Sequence, residues 1–85
     1  MIDTDLRKEI RQFIIDVFAF GDESVLVSDD DSLLEHRVLD STDVLELIVF
    51  LEDRFHIKVE DEEVVPENFD SVTRLYGFAT RKLRG

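Results

Sequence analysis

No cysteine occurs among the 85 residues, which excludes a disulfide framework, a thiolate nucleophile and a cysteine-ligated zinc site. Histidine appears twice, as His36 and His56, each isolated from any second chemical group. Without a base paired to a nucleophile, both read as ordinary loop histidines and the chain does not read as an enzyme. Positive charge is scarce: 10 Lys and Arg against 21 Asp and Glu give a net charge of −11. That balance makes nucleic acid and anionic membranes poor partners and a basic protein surface the expected complement. No apolar run reaches the length of a membrane span, and no basic stretch followed by an apolar one opens the chain, so we expect no membrane insertion and a cytoplasmic location. Repeats, low-complexity tracts and interdomain linkers are missing too, and residues 1–85 read as a single small domain with net stability of about 4 to 13 kcal/mol.

What the chain does have is helical periodicity. From a cap at Asp3 or Thr4, the residues Leu6, Ile10, Phe13, Ile14 and Val17 recur at helical spacing, with Arg7, Lys8, Arg11 and Gln12 opposite. A first helix ending near Gly21 is predicted. Residues 21–31 lose the period and gather Gly, Ser and Asp, a loop pinned to the core by Val25, Leu26 and Val27, followed by a single turn at Ser32-Leu33-Leu34. The strongest stripe comes next: Val44, Leu47, Ile48, Leu51 and Phe55 fall within an arc of roughly 100° on a helix from about Ser41 to Phe55, roughly 22 Å long. Ile57 and Val59 then alternate with His56 and Lys58, but no second strand exists for pairing, so an apolar-anchored loop is expected. Asp61 to Val65 reads as a short third helix ended by Pro66. A fourth begins after Asp70 or Ser71, with Val72, Leu75, Tyr76, Ala79 and Leu83 inward and Phe69 as a hydrophobic staple. Three long helices and one short one, each with one apolar stripe, predict an all-α four-helix bundle with a long first loop, in any of several topologies.

Acidic clusters have competing explanations. Asp29-Asp30-Asp31 invites a calcium loop, but counting from Asp29 puts Leu33 at the fifth ligand position and Leu34 where glycine is needed, so the pattern fails at its centre. Glu60-Asp61-Glu62-Glu63 is accounted for as a solvated surface that keeps a small protein soluble. The basic residues gather toward the ends, as Arg7, Lys8, Arg11, Arg74, Arg81, Lys82 and Arg84, leaving the middle nearly all acid.

In that acidic middle, Leu39-Asp40-Ser41-Thr42-Asp43-Val44-Leu45-Glu46-Leu47 sets one hydroxyl at the mouth of the second helix. Taken alone, an Asp-Ser pair there is a helix cap. The wider segment DSLLEHRVLDSTDVLELIVFLEDRFHIKV, however, resembles the phosphopantetheine attachment region of acyl carrier proteins, usually Gly-x-Asp-Ser-Leu before an acidic helix. The similarity runs on through Phe55-His56-Ile57-Lys58-Val59 to Pro66-Glu67-Asn68-Phe69-Asp70-Ser71-Val72 and covers most of the chain. At the glycine position stands Val38, which removes a permissive residue from the approach loop. At the leucine position stands Thr42, smaller and polar. Both bear on partner choice more than on attachment. Among the possible bundles, the resemblance selects the acyl-carrier-protein type.

The resemblance implies that Ser41 bears a covalent 4'-phosphopantetheine arm, moved from coenzyme A by a separate phosphopantetheinyl transferase with bound magnesium. The arm's thiol, which a cysteine-free chain must import, holds acyl or aminoacyl groups as thioesters for partner enzymes. A phosphate on Ser41 lies, on this reading, beside the unpaired amides of the first helical turn. Asp40 matches the motif's aspartate and is expected to orient the transferase's metal or basic groups, or else to cap the helix. No catalytic residue and no metal ligand of the chain's own is implied. Thr42, Asp43, Leu45, Glu46, Val49 and Asp53 are the partner-facing set, with Leu45 and Val49 as apolar contacts edged by acid. The alternative packs Leu45 against the long loop and Phe50 against the third helix. Implied partners are an acyl- or aminoacyl-activating ligase and acyl-transferring enzymes of fatty acid or secondary metabolite biosynthesis, all with basic docking surfaces, meeting a monomer. The Val-Leu-Asp-Ser-Thr form and the Glu67-Asn68-Phe69-Asp70-Ser71 stretch resemble freestanding carriers loaded by an AMP-forming ligase, aminoacyl and D-alanyl carriers included, more than the general fatty-acid carrier. The competing function is an acidic helical interaction module that never receives the arm.

Overall fold

The computed structural model describes residues 2–25, 28–40 and 42–84, with side chains from residue 6 onward except that of Val25. Helix α1 spans Ile2–Phe18 and buries Leu6, Ile10, Ile14 and Ile15. Ile15 lies off the expected stripe, so α1 is enclosed on more than one side. Val17, in the last turn, is 41% exposed instead of inward. The chain reverses at Phe20 and Gly21, where the Gly21 amide donates to the Ile15 carbonyl at 2.9 Å. Gly21 stands at φ +84°, a conformation that the missing Cβ permits. The expected anchoring by Leu26 and Val27 lies outside the described residues, as does that by the Val25 side chain.

Helix α2 is Asp43–Phe55, two residues shorter at its start than the spacing predicts. Leu47 and Leu51 are fully buried, while Val44, Ile48 and Phe55 are half-buried against the same core. His56 ends the helix in the left-handed region at φ 57°. The following loop is held by the Val59 amide, which donates to the Glu52 carboxylate at 2.9 Å, and by burial of the Val59 side chain. Among the described residues there is no strand, as expected.

The predicted third helix divides differently. Asp61–Glu63 is a single 3-10 turn, and Pro66 begins α3, Pro66–Phe69, where it was expected to end a helix. The physical reason is local: proline suits a first helical position because that amide has no intrahelical partner, and it pushes Val65 to extended backbone. Helix α4, Val72–Arg84, starts where expected, with Ser71 Oγ accepting from the Arg74 amide at 3.0 Å as its cap. It buries Val72, Leu75, Phe78 and Ala79. Phe78 replaces the expected Leu83, which is 49% exposed in the final turn. The Phe69 ring meets Phe78 at 5.4 Å and thereby turns that face inward.

Helices α1 and α3 pack chiefly on α4, while α2 touches α4 more lightly and joins α1 through the stacked rings of Phe13 and Phe50, 3.9 Å apart. The radius of gyration, 11.8 Å, matches the compact value of about 12 Å for a domain of this length.

The Glu63 carboxylate fastens the 3-10 turn to α4. It accepts from the Glu60 amide at 2.9 Å and from Lys82 Nζ at 2.9 Å. The amide first, and the ammonium second, hold its pKa below the ordinary 4.5. A depressed carboxyl pKa contributes stability that is complete above the ordinary value and is lost as pH falls through the folded value. Glu63→Gln should therefore flatten the dependence of Tm on pH, its melting curve meeting that of the wild type in acid and separating toward neutrality. Thermal melts followed by circular dichroism at stepped pH test this, and a constant offset throughout would contradict it.

Candidate functional site

Three anchors fix the approach to α2. Leu33 is fully buried, and its carbonyl accepts from the amides of Val38 at 2.9 Å and Leu39 at 3.2 Å, closing a turn over residues 33–37. Arg37 in that turn takes φ 60°. Val38 and Leu39 are themselves buried, at 5% and 3% exposure. Immediately after them, the exposed Asp40 accepts the amides of Thr42 and Asp43 on one carboxylate oxygen, each at 2.9 Å. Its own amide donates to the Asp43 carboxylate at 3.2 Å. The pair forms a reciprocal cap, and Asp40 takes two amides at the helix start, those of Thr42 and Asp43, where unpaired amides were expected. Ser41, the residue between these partners in sequence, lies outside the described residues.

Thr42 is exposed with helical backbone angles, φ −73° and ψ −38°. Asp40 and the half-buried Asp43 share a shallow depression of about 520 Å³ with Leu34, Arg37 and Leu39. Farther along α2, Leu45 and Val49 are 64% and 63% exposed. With the exposed acids Glu46 and Asp53 they line an open groove of about 700 Å³. The six partner-facing residues thus divide, four around the groove and two at the helix start. Leu45 does not pack away against the loop, and Phe50 stacks on Phe13 of α1.

Phe13 and Phe50 also line the groove, with Arg54 and His56 at its edge, and the Phe13 contribution was missed by sequence reasoning because that residue belongs to the apolar stripe of α1. The row of rings runs from Phe18, edge-on to Phe13 at 5.8 Å, to Phe55, edge-on to Phe50 at 5.7 Å. Also unforeseen is an apolar cleft of about 210 Å³ lined by Leu34, Leu39, Val44, Val64, Val65, Pro66 and Phe69. Its walls come from four separate stretches of chain, so no single stripe signals it.

No model of a known protein family matches the chain. Over 78 residues, 92% of its length, it is 33% identical to the acyl carrier protein of Akkermansia muciniphila, 92% of which is covered. The chain belongs to the acyl carrier protein family. It is therefore a carrier and not an enzyme, and its four-helix bundle is the fold expected of such a carrier.

Among the described residues no three potential metal ligands cluster. Asp29 is held by Arg11 at 2.9 Å and Arg7 at 3.2 Å, while Asp30 accepts from the Thr73 hydroxyl at 2.6 Å. Among the described residues no helix is long and apolar enough to cross a membrane.

Removing the reciprocal cap should loosen the start of α2 without touching its core. Asp40→Ala is expected to cost about 1 kcal/mol, and Asp40→Asn much less because an oxygen acceptor remains. Denaturant unfolding of both variants measures this, and equal losses would show that the cap contributes nothing.

Proposed function

We propose that Ser41 carries a 4'-phosphopantetheine arm and that the α2 groove receives the enzymes that attach, load and unload it. Family membership supports the arm in general, and the Asp40-Ser41 pair at the motif position supports this serine. The observation that supports the reading most is the reciprocal hydrogen bonding of Asp40 and Asp43, because it holds the motif's aspartate at the start of an acid-edged helix. When attached, the arm supplies the thiol that the chain lacks and holds an acyl group as a thioester.

The surroundings fit such a group. Arg37 is the cation beside the depression at the helix start, suited to a phosphodiester, and Leu34 and Leu39 give the arm an apolar wall. Asp40 acts as a cap first. With its carboxylate already accepting two amides, it meets a transferase's metal or basic side chains through its remaining lone pairs. Leu45 and Val49 give a docking enzyme apolar contact area, while Glu46 and Asp53 speed encounter and set orientation.

For cargo, we favour a short acyl or aminoacyl group activated by an AMP-forming ligase, on a freestanding carrier that works as one domain in the cytoplasm. The Val38-Leu39-Asp40-Ser41-Thr42 form and the Glu67-Asn68-Phe69-Asp70-Ser71 stretch support this leaning. The acidic interaction module without an arm has no observation in its favour.

The purified chain should gain the mass of one arm when incubated with coenzyme A and a broad-specificity phosphopantetheinyl transferase, and Ser41→Ala should gain none. Intact-mass spectrometry decides, and an unmodified wild type or an equally modified variant would end this reading. Reversing both rim charges, Glu46→Lys with Asp53→Lys, should slow modification about tenfold at low salt, with the gap to wild type narrowing as salt rises. A gap independent of salt would remove the electrostatic role of these acids.

A further inference from the structure

The Asp70 carboxylate lies between α3 and α4, remote in sequence from the modification motif, yet it is bonded to the loop that leads there. One oxygen accepts from the Ser32 hydroxyl at 2.7 Å and the other from the Leu34 amide at 3.0 Å. The Asp70 carbonyl accepts from the Leu33 amide at 2.8 Å. Three consecutive loop residues are therefore held by one residue of the α3–α4 junction. The Ser32 hydroxyl also accepts from the Glu35 amide at 3.1 Å, so the clasp reaches across the whole opening of the turn.

From this clasp a continuous path runs to the motif. The Leu33 carbonyl takes the Val38 and Leu39 amides, both side chains are buried, and the next residue is Asp40, whose carboxylate caps α2. Burial of Leu33, Val38 and Leu39 in the core adds to this hold on residues 32–39. An aspartate is chemically apt, because it is acceptor-only when ionised and can take a hydroxyl and an amide on separate oxygens.

We propose that Asp70 is a positioning residue for the modification segment, holding residues 32–39 so that the chain enters α2 in one conformation when a transferase docks. This rests on the reading of Ser41 as the attachment residue. Asp70 is not part of the groove's lining, and it bonds residues 32–34, ahead of the Asp40-Ser41 pair. Its loss should leave docking intact and scatter the geometry in which the attacking hydroxyl is delivered, an effect on turnover more than on binding.

The test compares Asp70→Ala, Asp70→Asn and Ile14→Val, a core change remote from the site, each assayed at the same interval below its own Tm. With coenzyme A saturating and the carrier varied, Asp70→Ala should lower kcat for modification about tenfold with KM within about twofold of wild type. Asp70→Asn, whose amide can satisfy the same two partners, should recover most of the rate, and Ile14→Val should match wild type. Native-state hydrogen exchange should show faster exchange at the Val38 and Leu39 amides in Asp70→Ala, with Leu51 changed no more than in Ile14→Val. A kcat equal to that of Ile14→Val, a rise in KM with kcat intact, or uniform loss of protection would each overturn the proposal. If the wild type takes no arm, the attachment reading fails, whereas the Val38 and Leu39 exchange still decides whether Asp70 holds the segment.

Discussion

Ordering the long connection between α1 and α2 is the constraint on which the rest of this carrier depends. Backbone order costs about 1 to 2 kcal/mol per residue, and a segment without its own helix cannot recover that from local hydrogen bonds. Here the recovery comes from elsewhere in the chain. Leu33, Val38 and Leu39 enter the core, Asp70 clasps the turn at residues 32–34, and Thr73 with Arg7 and Arg11 holds Asp29 and Asp30. The α3–α4 junction thus serves the loop twice, through its carboxylate and through its hydroxyl. Without this stitching the motif would hang from an unsupported strand of chain at the tip of α2.

The same contacts shape the electric field that a partner meets. Many of the cations are spent inside the molecule: Arg7 and Arg11 on Asp29, Arg54 on Glu9, Lys82 on Glu63, Arg74 on the Glu67 carbonyl and Arg81 on Asn68. Glu46 and Asp53 instead stand exposed beside Leu45 and Val49. Two of the acids thus stand where the apolar contact area is. Steering and adhesion coincide on one face, which suits a carrier that must meet several enzymes in turn and release each of them.

Beneath that face, aromatic packing joins α1 to α2. Phe13 and Phe50 stack closely, and Phe18 and Phe55 close the row edge-on at either end. Such pairs add about 0.5 to 1.5 kcal/mol each beyond their burial. They matter for function as well as stability, since two of these rings line the groove beside the exposed apolar pair.

Local rules were enough for much of this. The 3.6-residue period placed α1, α2 and α4, since a helix must bury its one apolar stripe, and the same stripe left Leu45 and Val49 outside. The acid balance and the missing thiols bounded the chemistry, and the Asp40-Ser41 pair pointed to the segment proposed for modification. Local rules erred at the ends of elements: Val17 and Leu83 follow the period but sit in last turns that extend past their cover, and Pro66 begins a helix because an amide at the first helical position has no carbonyl partner within the helix, so proline loses nothing there. Only the tertiary structure decided that Phe78 turns inward beside Phe69, that Phe50 meets Phe13, that a small apolar cleft opens beside Leu39, and that Asp70 grips Ser32 and Leu34. Each of these joins residues far apart along the chain, and periodicity carries no information about which distant stretches will meet.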